Sequence, residues 1–314
     1  MTILGLLAAS TSPAFAQQAA PVDPQANLIE ELVVNARTPG PAWWKVSDAD
    51  TTVYVLGVPG LTSTKLTYDN VALKHRLDGA NVLIMGQEAD VSVVRIVSLA
   101  LTGKRYFLSE KPMRETLPPD LRARLEARLK ATKEGVASLD EVKPAFAGFL
   151  MANSQDGNLS IHLGSLTDEI RDLAKSKDLA RRPRIENLSG YSLVGAIKTL
   201  GAAPEPLQEL CLDAGLRQAE SGDGGIKLLG ERWARGEVRQ VVSADRGFAR
   251  CLASNPSIAH ELRDGQEDAV KAIAKALKTP GKAVAVIELR SLLAQGGVLD
   301  ELRAQGFTVT TPGE

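Results

Sequence analysis

Three histidines are the side chains of this sequence best suited to bind a metal ion, but their spacing does not form a ligand set. His75 lies in Lys-His-Arg, His162 in a Ser/Leu-rich stretch and His260 in Ala-His-Glu. The sequence contains no H-E-x-x-H motif and no C-x-x-C pair, which are the short spacings that typically bind zinc. We therefore interpret the three histidines as surface or helix-packing residues and predict no metal centre built on them.

Motifs for other common chemistries are incomplete. The glycine-rich stretch Gly222–Gly225 lacks the G-x-G-x-x-G spacing and follows no predicted strand, which favours an inter-helix loop. Pro280-Gly281-Lys282 lacks the rest of a phosphate-binding loop, and no G-x-S-x-G motif is present. The sequence thus predicts no nucleotide or other cofactor.

The first sixteen residues, MTILGLLAASTSPAFA, have the pattern of a secretory signal peptide. A short apolar run is followed by a Ser/Thr/Pro break and by Ala14-Phe15-Ala16, a small-residue cleavage pattern, although no Lys or Arg precedes the run. A disordered N-terminus is the alternative. No other stretch approaches the ~20 apolar residues of a membrane helix. We predict export to the periplasm, or secretion, with no membrane span.

The two cysteines, Cys211 and Cys251, acquire a meaning from this expected export. Exported proteins meet an oxidising compartment in which disulfides persist. Both cysteines fall in helical patterns and lack metal-ligand spacing. A Cys211–Cys251 disulfide is the favoured interpretation, and two buried free thiols or a redox-active cysteine are the alternatives.

Charge and composition argue against nucleic acid as a partner. Lys and Arg together number 37 and Asp and Glu 38, giving a formal net charge of −1. A phosphate backbone is bound by a clustered positive field, and single-stranded bases stack on aromatic rings. Only 4% of the residues are aromatic. The chain offers neither feature at the level of its composition.

Residues 17–41 form a polar, Pro-containing linker with a short apolar segment. Within this segment Glu30–Ala36 is similar to the TonB box, a short strand that outer-membrane receptors add to an energy-transducing protein. A plain edge strand or a short helix explains the same pattern. Three interpretations of Glu30–Ala36 therefore stay open: a strand that contacts TonB, a plain edge strand and a short helix.

Strand patterns lie near both ends of the chain, and helical patterns fill its middle. The β-branched run Thr51–Leu56 and the apolar runs Ala80–Met85 and Ala283–Glu288 predict buried strands. Helical patterns recur from Pro118 to Leu277. We therefore predict an α/β fold whose central mixed sheet is built from N- and C-terminal strands, with a large helical insertion between them.

Four separated blocks carry a family pattern: WKVSDADTTVYVLG (44–57), RPRIE (182–186), WARGE (233–237) and GGVLDELRAQGFTV (296–309). In their order and spacing these blocks resemble the TraB/GumN family, whose members include the TIKI-type metalloproteases. The resemblance covers about residues 40–312 and implies a single α/β domain over residues 42–312.

The resemblance also implies a metal site, and this chain departs from it at each position. The family has two G-x-x-H motifs at strand ends and a Glu after the second strand. Here the first motif reads Gly57-Val58-Pro59-Gly60, the Glu position is Gly86, and the second motif is Glu288–Ser291 (ELRS). Together with Glu186 in the second block, Gly57, Gly60 and Gly86 are then positions of a site that has lost its metal ligands.

The resemblance and the missing metal ligands lead to two hypotheses about the function. The first is a non-catalytic periplasmic binding or scaffolding module, whose partner is an envelope protein, a peptide or a polysaccharide-related ligand. The alternative is a metal-independent peptidase- or esterase-like hydrolase that uses Glu88, Glu288, Arg290 and Ser291. Two carboxylates run acid/base hydrolysis when their surroundings separate their pKa values. An ion pair between Glu288 and Arg290 is the structural explanation of the same residues.

Overall fold

The computed structural model describes residues 23–63, 66–87, 104–130, 139–153, 163–164, 166–188, 193–223 and 225–313. The expected signal peptide, residues 1–16, and the candidate residues Glu88 and His162 lie outside this part of the chain. The described part has a mixed α/β fold with a six-stranded sheet and a helical region between its strands. The predicted fold class is therefore confirmed.

The described residues include eight strands, which form two sheets. They are β1 (Trp43–Ser47), β2 (Thr51–Val58), β3 (Thr62–Ser63), β4 (Val82–Met85), β5 (Leu163–Gly164), β6 (Arg184–Asn187), β7 (Gly281–Glu288) and β8 (Thr308–Thr310). The main sheet has the order β6-β4-β7-β2-β1-β8, and β3 pairs with β5 separately. Strands β6, β4, β7 and β2 are parallel, whereas β1 is antiparallel to both β2 and β8. The C-terminal strand β7 is thus inserted between the two strands predicted near the N-terminus.

Helices account for most of the rest. They are α1 (Val71–Leu77), α2 (Lys104–Phe107), α3 (Met113–Thr116), α4 (Pro119–Lys130), α5 (Pro144–Asn153), α6 (Leu166–Lys175), α7 (Leu193–Gly201), α8 (Glu205–Ser221), α9 (Ile226–Ala234), α10 (Val238–Ser243), α11 (Gly247–Ala253), α12 (Pro256–Leu277), α13 (Leu289–Leu293) and α14 (Val298–Ala304). Among the described residues, no helix is both long and apolar enough to cross a membrane.

Alternating side chains of the strands build a core on each face of the sheet. On one face Val53 and Val55 of β2 pack with α12, α13 and α14. On the other face Leu56 and Val58 pack with α1, α6 and Trp233. The period of two along a strand explains this division. Strand β7 is buried on both faces, which is why its sequence reads as a continuous apolar run.

The helical region has its own apolar clusters, and a disulfide ties two of its helices together. Cys211 of α8 and Cys251 of α11 are bonded, as predicted. Helix α8 also lies very close to α5, because Gly148 and Gly215 face each other where the two backbones meet. A Cβ atom on Gly215 would stand 2.1 Å from the carbonyl oxygen of Gly148. Only glycine allows this approach.

The segment before β1 packs against the sheet. Residues Glu30–Leu32 form a 3-10 helix where a short strand was one expectation, and Leu28 forms a single bridge with Ala294. Leu32 is fully buried, and its carbonyl accepts a hydrogen bond from Trp44 Nε1. Addition of this segment to a TonB-type partner as a strand would pull Leu32 out of the core. The TonB contact stays a prediction.

Residues Asp23–Asn27, called the arm below, continue this packing towards the N-terminus. The arm lies against α13 and α11, and the side chain of Gln25 is 8% exposed. The sequence alone places these residues in a polar linker with little to bury. The difference arises because the bonding partners of the arm lie more than two hundred residues away, where no local pattern reveals them.

Candidate functional site

The positions implied by the family motifs gather at the edge of the sheet where the parallel strands end. Val58, the last residue of β2, is in register with Glu288, the last residue of β7. Gly86 directly follows β4, and its N–H donates to the carbonyl of Val286 at 2.8 Å. A Cβ atom on Gly60 would lie 3.7 Å from Glu288 Cγ. Gly60, Gly86 and Glu288 therefore share this edge, which we call the carboxyl edge.

Two of the glycines at this edge are closely surrounded by other atoms. A Cβ atom on Gly57 would approach Leu289 Cδ1 to 2.4 Å, and one on Gly86 would approach the carbonyl oxygen of Val286 to 2.7 Å. The first obstacle is a flexible side chain, but the second is strand backbone, which cannot give way without breaking the β4–β7 ladder. The present backbone therefore excludes any side chain at Gly86, the position where the family pattern has a carboxylate.

Glu288 closes the end of β7 and caps the short helix α13. Its carboxylate accepts hydrogen bonds from the backbone N–H groups of Arg290 at 3.0 Å and Ser291 at 2.7 Å. This capping satisfies backbone donors that have no partner within the helix. The predicted Glu288–Arg290 ion pair at the sheet edge is replaced by a bond from the Arg290 backbone, while its guanidinium points elsewhere.

The arm completes the polar contacts of this edge. Gln25 Nε2 donates to Glu288 Oε2 at 3.0 Å and to Ser291 Oγ at 2.8 Å. Its two amide protons are thus used by Glu288 and Ser291, two of the three polar side chains of the second family motif. Gln25 occupies the place beside Ser291, the residue that stands where the family pattern has its second histidine.

Two arginines hold the arm in place. Arg290 donates through Nε and Nη2 to the backbone carbonyl of Gln25 at 3.3 and 3.0 Å, and through Nη1 to the carbonyl of Val242 at 2.5 Å. Arg246 donates to the same Gln25 carbonyl at 3.1 Å and forms an ion pair with Asp23 at 2.6 Å. Arg290 therefore binds main-chain oxygens of the arm and of α10, and no free guanidinium remains for a reaction.

Burial and like charge act together on Arg290. Its removal from water, with a further contribution from the neighbouring Arg246, lowers the pKa of Arg290 to about 10. Glu288 and Asp23 act in the opposite direction. The carboxyl edge is therefore an environment in which two guanidinium groups are balanced by one carboxylate of the sheet and one of the arm.

Glu186, the fourth predicted site position, lies away from this edge. The strand register places it level with Ile84 of β4 and Ala285 of β7, three residues before Glu288. Two strand spacings and three residues of rise separate the two glutamates by roughly 10 Å in each direction. Hydrogen bonds from Arg184 at 2.7 Å and Lys275 at 3.4 Å lower the pKa of Glu186. Its carboxylate serves a separate ion-pair cluster.

The two described histidines also lie elsewhere. His75 is on α1, and its carbonyl accepts a hydrogen bond from Lys282, near the beginning of β7 and so at the opposite edge of the sheet. His260 is exposed on α12 and pairs with Asp264 at 3.1 Å. Neither imidazole reaches the carboxyl edge.

A divalent metal does not fit the described residues of this edge. Gly60 and Gly86 have no side-chain donors, and the carboxylate of Glu288 already accepts three hydrogen bonds. Ser291 Oγ is engaged by Gln25. In the described ranges, no three His, Cys, Asp or Glu side chains come together as a ligand group. A metal centre needs three or four such donors in one place.

Sequence reasoning found Glu288, Arg290 and Ser291, which the structure brings together, but it missed Asp23, Gln25 and Arg246. The polar stretch Asp-Pro-Gln-Ala-Asn contains no pattern that distinguishes a docked arm from a linker. Glu88, the proposed acid/base partner of Glu288, lies outside the described residues.

Comparison with known proteins identifies the family to which the chain is related. The model of the TraB/PrgY/gumN family matches residues 42–311, which is most of the sequence. No curated protein and no solved structure gives a match. The matched range contains all six strands of the main sheet and ends just beyond β8. The chain belongs to the TraB/PrgY/gumN family.

Proposed function

We propose that this protein is an exported, periplasmic member of its family that binds a ligand at the carboxyl edge without metal-dependent catalysis. Its partner is an envelope protein, a peptide or a polysaccharide-related molecule. The observation that carries the proposal is the bonding of Gln25 to both Glu288 and Ser291, at the positions of the second family motif. Every polar side chain of that motif is used to hold another segment of protein.

Export is supported by the signal-peptide pattern of residues 1–16 and by the disulfide, a bond that persists in oxidising compartments. Expression of the full chain in a bacterial host, followed by cell fractionation and N-terminal sequencing, tests this part. We expect a periplasmic product that begins at Gln17. A full-length product retained in the cytoplasm would contradict it.

Metal titration tests the loss of the family chemistry. Purified protein is titrated with zinc, manganese and cobalt ions in a calorimeter, and its melting temperature is recorded with each ion. A ligand specific for the native state adds ~2.7 kcal/mol to the free energy of unfolding at a hundredfold excess over its Kd. We expect no stoichiometric heat and no stabilisation. Tight one-to-one binding of any of these ions would overturn the proposal.

A hydrolase screen covers the metal-independent alternative. Peptidase and esterase substrates are offered to the wild-type protein and to Glu288→Gln, which keeps the shape of the side chain and removes its charge. We expect neither protein to turn over any substrate above the uncatalysed rate. Activity of the wild-type protein that is lost in the variant would establish carboxylate chemistry at this edge.

A further inference from the structure

We propose that the carboxyl edge is a peptide-binding site that recognises a glutamine carboxamide, and that the arm occupies this site within the same molecule. The proposal rests on the proposed function, because it names the class of ligand that the edge binds: a peptide segment with Asp two residues before Gln, folded into a turn in which the Ala26 N–H donates to the Asp23 carbonyl at 3.1 Å. Asp23 and Gln25 of the arm have this spacing.

Both polar atoms of the Gln25 carboxamide have hydrogen-bond partners at the edge. Its Nε2 protons go to Glu288 Oε2 and Ser291 Oγ, while its Oε1 accepts from Arg246 Nη2 at 3.2 Å. An acceptor carboxylate faces the amide nitrogen, and a guanidinium faces the amide oxygen. A glutamate at this position would place an oxygen against Glu288, and an aliphatic residue would remove one hydrogen bond each from Glu288, Ser291 and Arg246. The edge therefore distinguishes a carboxamide from similar side chains.

The backbone contacts show why the ligand is a peptide and not a free amide. The Gln25 carbonyl accepts from both Arg246 and Arg290, and Arg290 Nη2 reaches the Ala26 carbonyl at 3.5 Å. These bonds are made to main-chain oxygens, so they hold any peptide in this path. Specificity then comes from the side chain that enters beside Ser291.

The charges at the edge explain why the ligand carries Asp two residues before Gln. Without the arm, the guanidinium groups of Arg246 and Arg290 face the single carboxylate of Glu288, which leaves one positive charge in excess. Asp23 supplies the missing negative charge through its ion pair with Arg246, whose side chain is only 13% exposed. Arg246 Nε is buried and lacks a hydrogen-bond partner among the described residues, so the arm leaves one donor for another ligand to use.

A covalently attached arm has a large advantage over a free peptide. Its effective concentration at the edge is in the millimolar range for a short connection, so a peptide in solution must compete with it. The test is therefore to weaken the arm in the full chain and to offer its sequence separately. Gln25→Glu weakens it by turning a carboxylate towards Glu288. Asn27→Asp is the matched control, because it makes the same chemical change two residues away on an exposed side chain.

The probe is a fluorescent peptide with the sequence of residues 21–28, PVDPQANL, and binding is followed by fluorescence anisotropy. We expect the peptide to bind the Gln25→Glu protein, and to bind the wild-type protein and Asn27→Asp at least about tenfold more weakly. The same peptide with Glu in place of Gln should lose about tenfold in affinity for Gln25→Glu. Gln25→Leu, which removes the contacts without adding charge, is a second variant that should also bind the original peptide.

Three results would overturn the proposal. The first is failure of the peptide to bind both arm variants while their circular dichroism is native. The second is equal affinity for the Gln and Glu peptides. The third is unchanged hydrogen exchange of residues 25–27 in Gln25→Glu, which would show that the edge does not depend on the carboxamide. None of these affects the metal titration, so failure here is distinguishable from failure of the proposed function.

Discussion

Gly86 stands at the position where the family pattern has a carboxylate, and the surrounding backbone leaves no room for a side chain. A Cβ atom there would overlap the Val286 carbonyl oxygen, which also accepts the N–H of Gly86. We predict that Gly86→Ala lowers the free energy of unfolding by about 1–3 kcal/mol, because overpacking against a strand must shift backbone. Denaturant unfolding measures the loss. Gly86→Glu, which restores the family carboxylate, should be at least as harmful.

Gly225 is the matched control for this substitution. It precedes α9 with an ordinary negative φ of −69°, and a Cβ atom there would meet none of the described residues within 4 Å. Gly225→Ala should therefore avoid the overpacking penalty and lower the free energy of unfolding by no more than about 1 kcal/mol, the cost of replacing an N-cap glycine by alanine. An equal effect of the two substitutions would show that the contact with Val286 is not the cause.

Tyr68 makes the free energy of unfolding depend on pH in the alkaline range. Its hydroxyl is buried without a hydrogen-bond partner among the described residues. The centroid of its ring lies 5.1 Å from that of Trp233. Burial, with a contribution from Glu169, raises the pKa of Tyr68 to about 12. The unfolded chain ionises this phenol near pH 10 and the folded chain only near pH 12. Its contribution to stability is therefore complete below about pH 10 and is lost as the pH rises towards 12.

The substitution Tyr68→Phe tests this dependence. Without the phenol, the decline of stability between about pH 10 and 12 should become shallower. At pH 7 the free energy of unfolding should stay the same or rise by up to ~1 kcal/mol, since an unpaired buried hydroxyl is removed. Urea unfolding at pH 7, 10 and 11 provides the measurement. Tyr54→Phe, which leaves Tyr68 in place, should retain the steeper decline.

At the scale of elements, the disulfide between α8 and α11 closes a loop of 40 residues. In the chain-entropy model such a loop contributes about 4 kcal/mol to the free energy of unfolding. We predict that the double variant Cys211→Ala, Cys251→Ala loses about 2–4 kcal/mol, measured by denaturant unfolding. The wild-type protein unfolded with a reductant present serves as control and should show a similar loss. No loss in either would mean that the bridge does not constrain the unfolded chain.

Some elements could be predicted from the sequence for clear physical reasons, and others could not. Strand β7 is buried on both faces, so its continuous apolar run identifies it. Strand β6 was not predicted, because its residues, Arg-Ile-Glu-Asn, are partly exposed at the edge of the sheet and carry no apolar pattern. The place of β7 between β2 and β4 also has no local signature, since it depends on pairing between distant segments.

The residues of the candidate site also fall into those that the sequence predicts and those that it does not. Glu288, Arg290 and Ser291 follow a predicted strand, so the family pattern leads directly to them. Gln25 could not be found, because its partners come from α11 and α13 and its own neighbours are those of a linker. A polar residue that is buried by distant contacts is indistinguishable in sequence from one that is exposed.

At the scale of the whole molecule, the apolar core is divided between the sheet and the helical region. The clusters on the two faces of the sheet share no members with those around α5, α8 and α11. Separate clusters open with separate free energies in native proteins. We therefore predict that reduction of the disulfide speeds hydrogen exchange in α8 and α11, while amides of β2 and β7 keep their protection. Mass spectrometry of exchanged peptides measures both, and a uniform increase would contradict the division.

The pairing of β2 with β7 also means that β2 is synthesised long before its partner strand. Thr51 pairs with Gly281, so the two central strands are about 230 residues apart in the chain. A ribosome adding 5–20 residues each second needs roughly 10–50 s to travel between them. During that interval β2 and β4 have emerged, but the strand that joins them does not yet exist. Their unpaired apolar edges are then the natural target of chaperones that hold nascent chains.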